Sequence, residues 1–255
     1  MGIGALAAAA TVGAAVLMGQ ANAAKAAEIA VFATTSLRQA LEKLGPQFER
    51  ASGHKLNYQL GTSAPLKRQI DAGGPFDLAI LVPASLDALI KEGKVQPETR
   101  VDVARSAIGV AVKAGSPKPE TDTAEALRRT LLAAKSISYS GEGASGKYFT
   151  GLLERLGIAA EVTPKLRPLP SGEAVAPVAK GEVEMAVITL ANILGVPGVE
   201  IAGLLPRDMQ HYTVYTAGVA TTSRHAEAAK ALIALLMAPD TTPAIEAAGM
   251  ERVGP

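Results

Sequence analysis

The sequence predicts an α/β protein with a mostly parallel sheet covered by helices on both faces. From Glu28 to Lys91, strand-like apolar runs alternate with helix-patterned segments in a βαβαβα order, the pattern that feeds a parallel sheet through helical crossovers. Within it, Phe76-Asp77-Leu78-Ala79-Ile80-Leu81-Val82 is the most apolar run and reads as a strand buried on both faces. Three short polar loops, Ala33-Thr34-Thr35-Ser36, Gly61-Thr62-Ser63-Ala64 and Ser140-Gly141-Glu142-Gly143-Ala144-Ser145-Gly146, each follow an apolar run and open a helical segment. In such sheets ligands sit beyond the carboxyl ends of the strands, and the first two loops lie at such ends.

Taken in order, Glu28 to Ala33 reads as a strand and Leu37 to Arg50 as a helix. Leu37, Leu41, Leu44 and Phe48 fall at i, i+4, i+7 and i+11, on one helical face, and Gly53 stops the helix. Lys55 to Leu60 alternates as a second strand. A helix from Ala64 to Ala72 ends at Gly73-Gly74, and after the central strand Pro83 and Ser85 lead a helix to Lys91. Val101 to Lys113 is a long β-like stretch suited to crossing into a second lobe. Ala124 to Ala134 is helical, Ser136 to Tyr139 a strand, and the third polar loop leads into a helix from Lys147 to Leu156. Glu173 to Lys180 reads as a helix blemished by Pro177, and Val183 to Thr189 as a strand. Tyr212 to Thr221 is a β-like return. Arg224 to Met237 and Thr241 to Ala248 close the chain as helices.

Composition excludes several classes. The 255 residues suffice for one large α/β domain or two lobes of about 100 residues each. Twenty-five basic residues balance 24 acidic ones, so no polybasic surface for nucleic acid or anionic membrane is expected. Tryptophan is absent and other aromatics are few, which removes base-stacking platforms. The lack of cysteine excludes disulfides, thiolate metal sites, cysteine nucleophiles and a lipid-modified N-terminal cysteine. Residues 1–23 read as a secretory signal. An uncharged apolar run spans Ile3 to Met18, followed by Ala21-Asn22-Ala23 with cleavage after Ala23, although no Lys or Arg precedes the run. The run is shorter than the ~20 residues of a membrane-spanning helix, so a protein that is not membrane-embedded is expected.

A helix N-terminus carries unpaired N–H donors and partial positive charge, which suits an anion. Three such loops behind an export signal point to capture of a small anionic solute outside the cytoplasm. Ser36 and Ser63 are the best binding candidates, with helix capping as the alternative role. The 141–147 loop lacks the G-x-x-x-x-G-K-[ST] phosphate-loop pattern, because Tyr148 stands where Ser or Thr must ligate magnesium. It either presents N–H groups to a ligand or makes a plain tight turn. Lys147 offers positive charge to a carboxylate. Glu142 and Glu173 could accept ligand hydroxyls or move protons, or simply face solvent. His54, His211 and His225 are scattered without ligand spacing, so neither a metal nor any other cofactor is expected. No G-x-S-x-G elbow is present.

Several segments resemble the periplasmic molybdate-binding proteins of ABC importers and their broader solute-binding relatives. They are Val31 to Leu37, Gly61 to Ile70, Gly73 to Leu78, Ser145-Gly146-Lys147-Tyr148 and Leu153 to Gly157. The resemblance spans essentially all of the chain after residue 23. It implies the two-lobed type II periplasmic binding protein fold, each lobe a mostly parallel sheet flanked by helices. Lobe I comprises 24–105 plus 214–255 and lobe II 106–213, with the ligand in the cleft between them. It further implies hinge closure, a monomer, and an ABC permease as partner. The family's oxyanion serines fall on Ser36 and Ser63, and its second-lobe contacts near Ser145, Glu173 and Thr189. The expected ligand set is therefore Thr35, Ser36, Thr62, Ser63, Ala144, Ser145, Gly146, Lys147, Glu173 and Thr189. Thr189 stands where molybdate binders place a donating tyrosine, and near Glu173 they offer only a backbone N–H, so an organic carboxylate is as fitting a ligand as molybdate. Some relatives of similar size resemble isomerases of aconitate. That alternative would use Glu173, Lys147 or Glu142 for proton transfer.

Overall fold

The computed structural model of the protein describes residues 26–170 and 172–253; the expected export signal at 1–23 lies outside the described residues. The first part of the chain runs β1 (Glu28–Thr34), α1 (Arg38–Ser52), β2 (Lys55–Gly61), α2 (Ser63–Asp71), β3 (Leu78–Leu81) and α3 (Pro83–Lys91). A long strand, β4 (Val101–Lys113), leads on to α4 (Ala124–Ala133), β5 (Ile137–Ser140), α5 (Ala144–Arg155), α6 (Ala159–Val162), β6 (Leu166–Leu169), α7 (Ala176–Lys180), β7 (Met185–Thr189) and β8 (Val199–Leu204). The return strand β9 (Tyr212–Val219) then leads to α8 (Ala226–Met237) and α9 (Thr242–Ala247).

The strands make two halves of the same design joined through β4. In the first, β2, β1 and β3 run parallel, and β9 and the start of β4 add on antiparallel. In the second, β6, β5 and β7 run parallel, and the end of β4 and β8 add on antiparallel. The exchange of partners on β4 is abrupt. Val101 to Ala107 pair with β9, whereas Ile108 to Val112 pair with β7. The parallel core expected from the βαβ order is thus present in each half, and the crossover strands bring the antiparallel pairings.

Period-two alternation explains why each half is covered on both faces. Along β1 and β3, Ile29, Val31, Leu78 and Ile80 enter one buried cluster with Leu41, Leu44 and Phe48 of α1. Phe32, Ala79 and Leu81 turn the other way, toward Leu66 and Ile70 of α2 and Leu86 and Leu89 of α3. In the second half, Ile108, Val110, Met185 and Val187 face Leu127, Leu131, Phe149 and Leu152, while Ala111, Ala186 and Ile188 face Val175 and Val178. Each large apolar side chain buried in this way contributes roughly 1.5–3 kcal/mol. The last two helices return to the first half, where Leu232, Leu236 and Ile245 pack against α1.

Some boundaries differ from the sequence reading. The helix expected from Lys147 begins at Ala144, so Ala144, Ser145 and Gly146 form its first turn. Pro177 sits in the first turn of α7 rather than interrupting it; a first-turn proline loses no intrahelical bond. Two strands escape the sequence reading altogether. β6 contains Pro168 and lies at a sheet edge, where a proline is tolerated. β8 has no fully buried position and contains a glycine, so its hydrophobic period is weak.

Candidate functional site

The loops at the carboxyl ends of β1, β2 and β3 meet those of β5 and β7 around a cavity of about 220 Å³. Three helix N-termini reach it. Thr62, Ser63 and Ala64 begin α2, Val82, Ala84 and Ser85 begin α3, and Gly143, Ala144 and Ser145 begin α5. In none of the three does a side chain cap the helix; Pro65 and Pro83 have no N–H and the Ser85 N–H goes to the Val82 carbonyl, which leaves the N–H groups of Ser63, Ala64, Ala84, Ala144 and Ser145 for another acceptor. The partial positive ends of three helices thus face one small volume.

Hydroxyl groups line the rest. Ser36 stands in the short turn between β1 and α1, and Thr189 ends β7. Their oxygens are 3.5 Å apart, and the Asn192 amide donates to both at 2.7 Å. Ser63 Oγ accepts the Val82 N–H at 3.0 Å. Each of these hydroxyls therefore spends a lone pair within the protein and keeps its own hydrogen to donate. Thr34, Ser140, Thr213 and Tyr215 also line the cavity, and their buried hydroxyls have no hydrogen-bond partner. Buried polar groups are nearly always paired. Four orphans around one cavity mark a place where something else completes the bonding. Burial pushes the Tyr215 hydroxyl up to about 12, partly offset by the neighbouring Ser36 and Thr189 hydroxyls, so Tyr215 stays a neutral donor at neutral pH.

Charge at the rim is asymmetric. Lys147 and Glu142 both line the cavity, but Glu142 is engaged by Arg68 at 3.1 Å. That ion pair spans the two halves. The halves also meet where the Gln39 amide donates to the Leu194 carbonyl, and where Gly172 lies against Thr35. A Cβ at Gly172 would come within 2.5 Å of the Thr35 methyl.

Of the residues expected from sequence, Ser36, Thr62, Ser63, Ala144, Ser145, Lys147 and Thr189 line the cavity, as does Glu142. Three others do not. Thr35 is turned toward Gly172. Gly146 lies beneath the α5 tip, and a Cβ there would overlap the Ser140 carbonyl oxygen; its role is close approach of helix to strand. Glu173 is exposed and away from the lining, while its neighbour Ala174 takes the buried position; an ionised carboxylate facing inward would carry a heavy desolvation cost. Asn192, Thr213 and Tyr215 also line the cavity and escape the sequence reading. The alternation in Tyr212-Thr213-Val214-Tyr215 places Thr213 and Tyr215 on one face of β9, and that face is the signal for those two; nothing local marks Asn192. Among the described residues, no group of three or more His, Asp or Glu side chains could hold a metal ion, and no helix is long and apolar enough to cross a membrane.

Comparisons with known proteins bear on the family and the fold. Residues 29–251 match the family of bacterial extracellular solute-binding proteins. An aconitate isomerase from a Pseudomonas species is 32% identical over 231 residues, covering 88% of each chain. The molybdate-binding protein ModA of Escherichia coli K12 is 27% identical over 197 residues, covering 75% of this chain and 77% of its own. The periplasmic molybdate-binding protein of Azotobacter vinelandii superposes with a TM-score of 0.75 at 22% identity, over 89% of this chain and 99% of that one. The sulfate-binding protein SubI of Mycobacterium tuberculosis gives 0.72 at 18% identity, over 90% and 88%. At those identities the structures speak for the fold, which is that of type II periplasmic binding proteins. With the match spanning nearly the whole described chain, the protein belongs to the bacterial extracellular solute-binding protein family.

Proposed function

We propose that this protein captures a small anion, a compact oxyanion or an organic carboxylate, in the cavity between its two halves in the periplasm and hands it to an ABC permease. The observation that carries this reading is the convergence of three uncapped helix N-termini and four unpartnered buried hydroxyls on one cavity. Such a lining offers many hydrogen-bond donors and a single carboxylate, Glu142, whose charge Arg68 and the lining Lys147 offset. Ser36, Ser63 and the α2 and α3 tips would hold the ligand from one side. Ser145, Lys147, Thr189 and the α5 tip would hold it from the other.

Thermal denaturation with molybdate, tungstate, sulfate, citrate or cis-aconitate tests the reading. A ligand at 100 times its Kd stabilises by about 2.7 kcal/mol, which raises Tm by roughly 5–10 °C in a chain of this size. No shift with any of the five anions rejects the proposal. The Arg68–Glu142 pair is a milder matter. Both side chains are more than half exposed, and such pairs contribute about 0–1 kcal/mol. Arg68→Ala is therefore expected to weaken anion binding by no more than about fivefold, read by titration calorimetry; a larger loss would make the pair a principal clamp.

A second reading has its own support in the 32% identity to an aconitate isomerase. The same cavity would then hold a tricarboxylate while a side chain removes a proton from one allylic carbon and a proton returns to the other. Lys147, which lines the cavity, would be the candidate for this step; Glu142 is paired with Arg68, and Glu173 is exposed away from the lining. Chromatography after incubation with cis-aconitate decides. Formation of the trans isomer that disappears in Lys147→Ala establishes the enzyme, and no trans isomer leaves the receptor alone.

A further inference from the structure

The geometry points to Asn192 as the positioning residue of this cavity: one side-chain amide joins the two halves and holds the Ser36 and Thr189 hydroxyls as hydrogen donors, which tunes the site to fully ionised oxygen. The inference rests on the anion-capture reading above.

Asn192 is part of the turn Leu190–Asn192 that follows β7. That turn is held from two sides. The Ala191 N–H donates to the buried Ser106 hydroxyl at 3.1 Å, and Ser106 in turn donates to the Gly249 carbonyl at 2.7 Å. Gly249 has φ +73°, and a Cβ there would come within 2.9 Å of the Ala191 nitrogen and the Leu190 carbonyl, so the C-terminal segment presses directly on the turn. The amide is thereby placed 2.7 Å from both Ser36 Oγ and Thr189 Oγ1. Ser36 belongs to the first half, and Asn192 and Thr189 to the second, so the bond to Ser36 exists only with the halves together.

A hydroxyl has one hydrogen and two lone pairs. Asn192 takes a lone pair from each of the two hydroxyls. Their mutual separation of 3.5 Å is at the long limit for a hydrogen bond, so neither hydrogen is firmly held by the other oxygen. The Tyr215 hydroxyl lies buried beside them, near enough to Ser36 and Thr189 to feel both hydroxyls, yet no hydrogen bond of normal geometry engages it. Three neighbouring oxygens therefore each have a hydrogen to give. An ionised carboxylate or oxyanion oxygen accepts several hydrogen bonds at once; the same oxygen bearing a proton competes as a donor and fits less well.

The test is calorimetric titration of the full chain with sulfate, molybdate and cis-aconitate at pH 8 and pH 5, using wild type, Asn192→Ala and Asn192→Asp. The alanine variant loses both donors and is expected to bind about tenfold more weakly. The aspartate variant keeps the shape but turns donor into acceptor, drawing both hydroxyl hydrogens away from the cavity and adding negative charge. Its affinity at pH 8 should fall by about 100-fold or more. Burial raises the pKa of the introduced carboxyl. At pH 5 its protonated form regains one donor, and its deficit relative to wild type at that pH should shrink about tenfold. A purely structural role would give the same deficit at both pH values. Affinity of Asn192→Asp within threefold of wild type at pH 8, or a deficit independent of pH, overturns the inference. Should the aspartate variant not fold, the alanine variant decides alone, and wild-type affinity in it overturns the inference. Absence of binding by wild type sinks the anion-capture reading and this inference together; wild-type binding with unaffected variants sinks only the role of Asn192.

Discussion

A chain carrying both Ser36→Ala and Ser63→Ala is expected to fold and to lose roughly 10²- to 10⁴-fold in affinity for whichever of sulfate, molybdate or cis-aconitate the wild type binds most tightly. Ser36 Oγ accepts from the Asn192 amide and Ser63 Oγ accepts from the Val82 N–H, which leaves both hydroxyl hydrogens for a ligand. A hydrogen bond to a charged group is worth about 1.5–3 kcal/mol. The two serines sit in separate loops with separate partners, so their effects should nearly add. The cost to folding is smaller. Ser63→Ala strips the acceptor from the Val82 N–H at the start of α3, about 1 kcal/mol, or roughly 2–4 °C in Tm. Calorimetry with and without ligand separates the two effects. Affinity within tenfold of wild type would mean that the anion sits elsewhere.

The sequence made the framework legible because the framework is written in local patterns. Strand β4 coincides with the apolar stretch read from the sequence. The α1 face of Leu37, Leu41, Leu44 and Phe48 is buried as its spacing requires. Ser36, Ser63 and Ser145 all line one cavity, because helix starts at the carboxyl ends of strands converge in an α/β sheet. What was not legible depends on distant pairing. Asn192 and Tyr215 acquire their roles only because β4 and β9 bring the halves together; the alternation that puts Tyr215 on the face of Thr213 does not say what that face meets, and nothing local marks Asn192. Thr189 was expected to be the position where a donating tyrosine is absent. The phenol of Tyr215 arrives instead from the return strand, beside the same hydroxyl. Glu173 shows the converse error: adjacency in sequence to a cavity loop does not determine which way a side chain faces.

Alanine at two glycines of the same helix should have opposite effects. Gly146 and Gly151 both lie within α5, where glycine is ordinarily about 0.5–1 kcal/mol worse than alanine. At Gly151 an added Cβ meets nothing within 4 Å, so Gly151→Ala should stabilise by about that amount and leave binding unchanged. At Gly146 the added Cβ would lie 1.8 Å from the Ser140 carbonyl oxygen and 2.9 Å from the Tyr139 ring. Neither the strand end nor the helix backbone can relieve that by rotating a side chain, so the α5 tip must move away from β5. Overpacking of this kind costs about 1–3 kcal/mol, which outweighs the helix-propensity gain and should lower Tm by several degrees. The same displacement moves Ala144 and Ser145 off the cavity, so Gly146→Ala should also bind at least tenfold more weakly at a temperature where it remains folded. If Gly146→Ala instead behaves like Gly151→Ala, the α5 tip is not held against Ser140, and its N–H groups cannot be part of a preformed anion site.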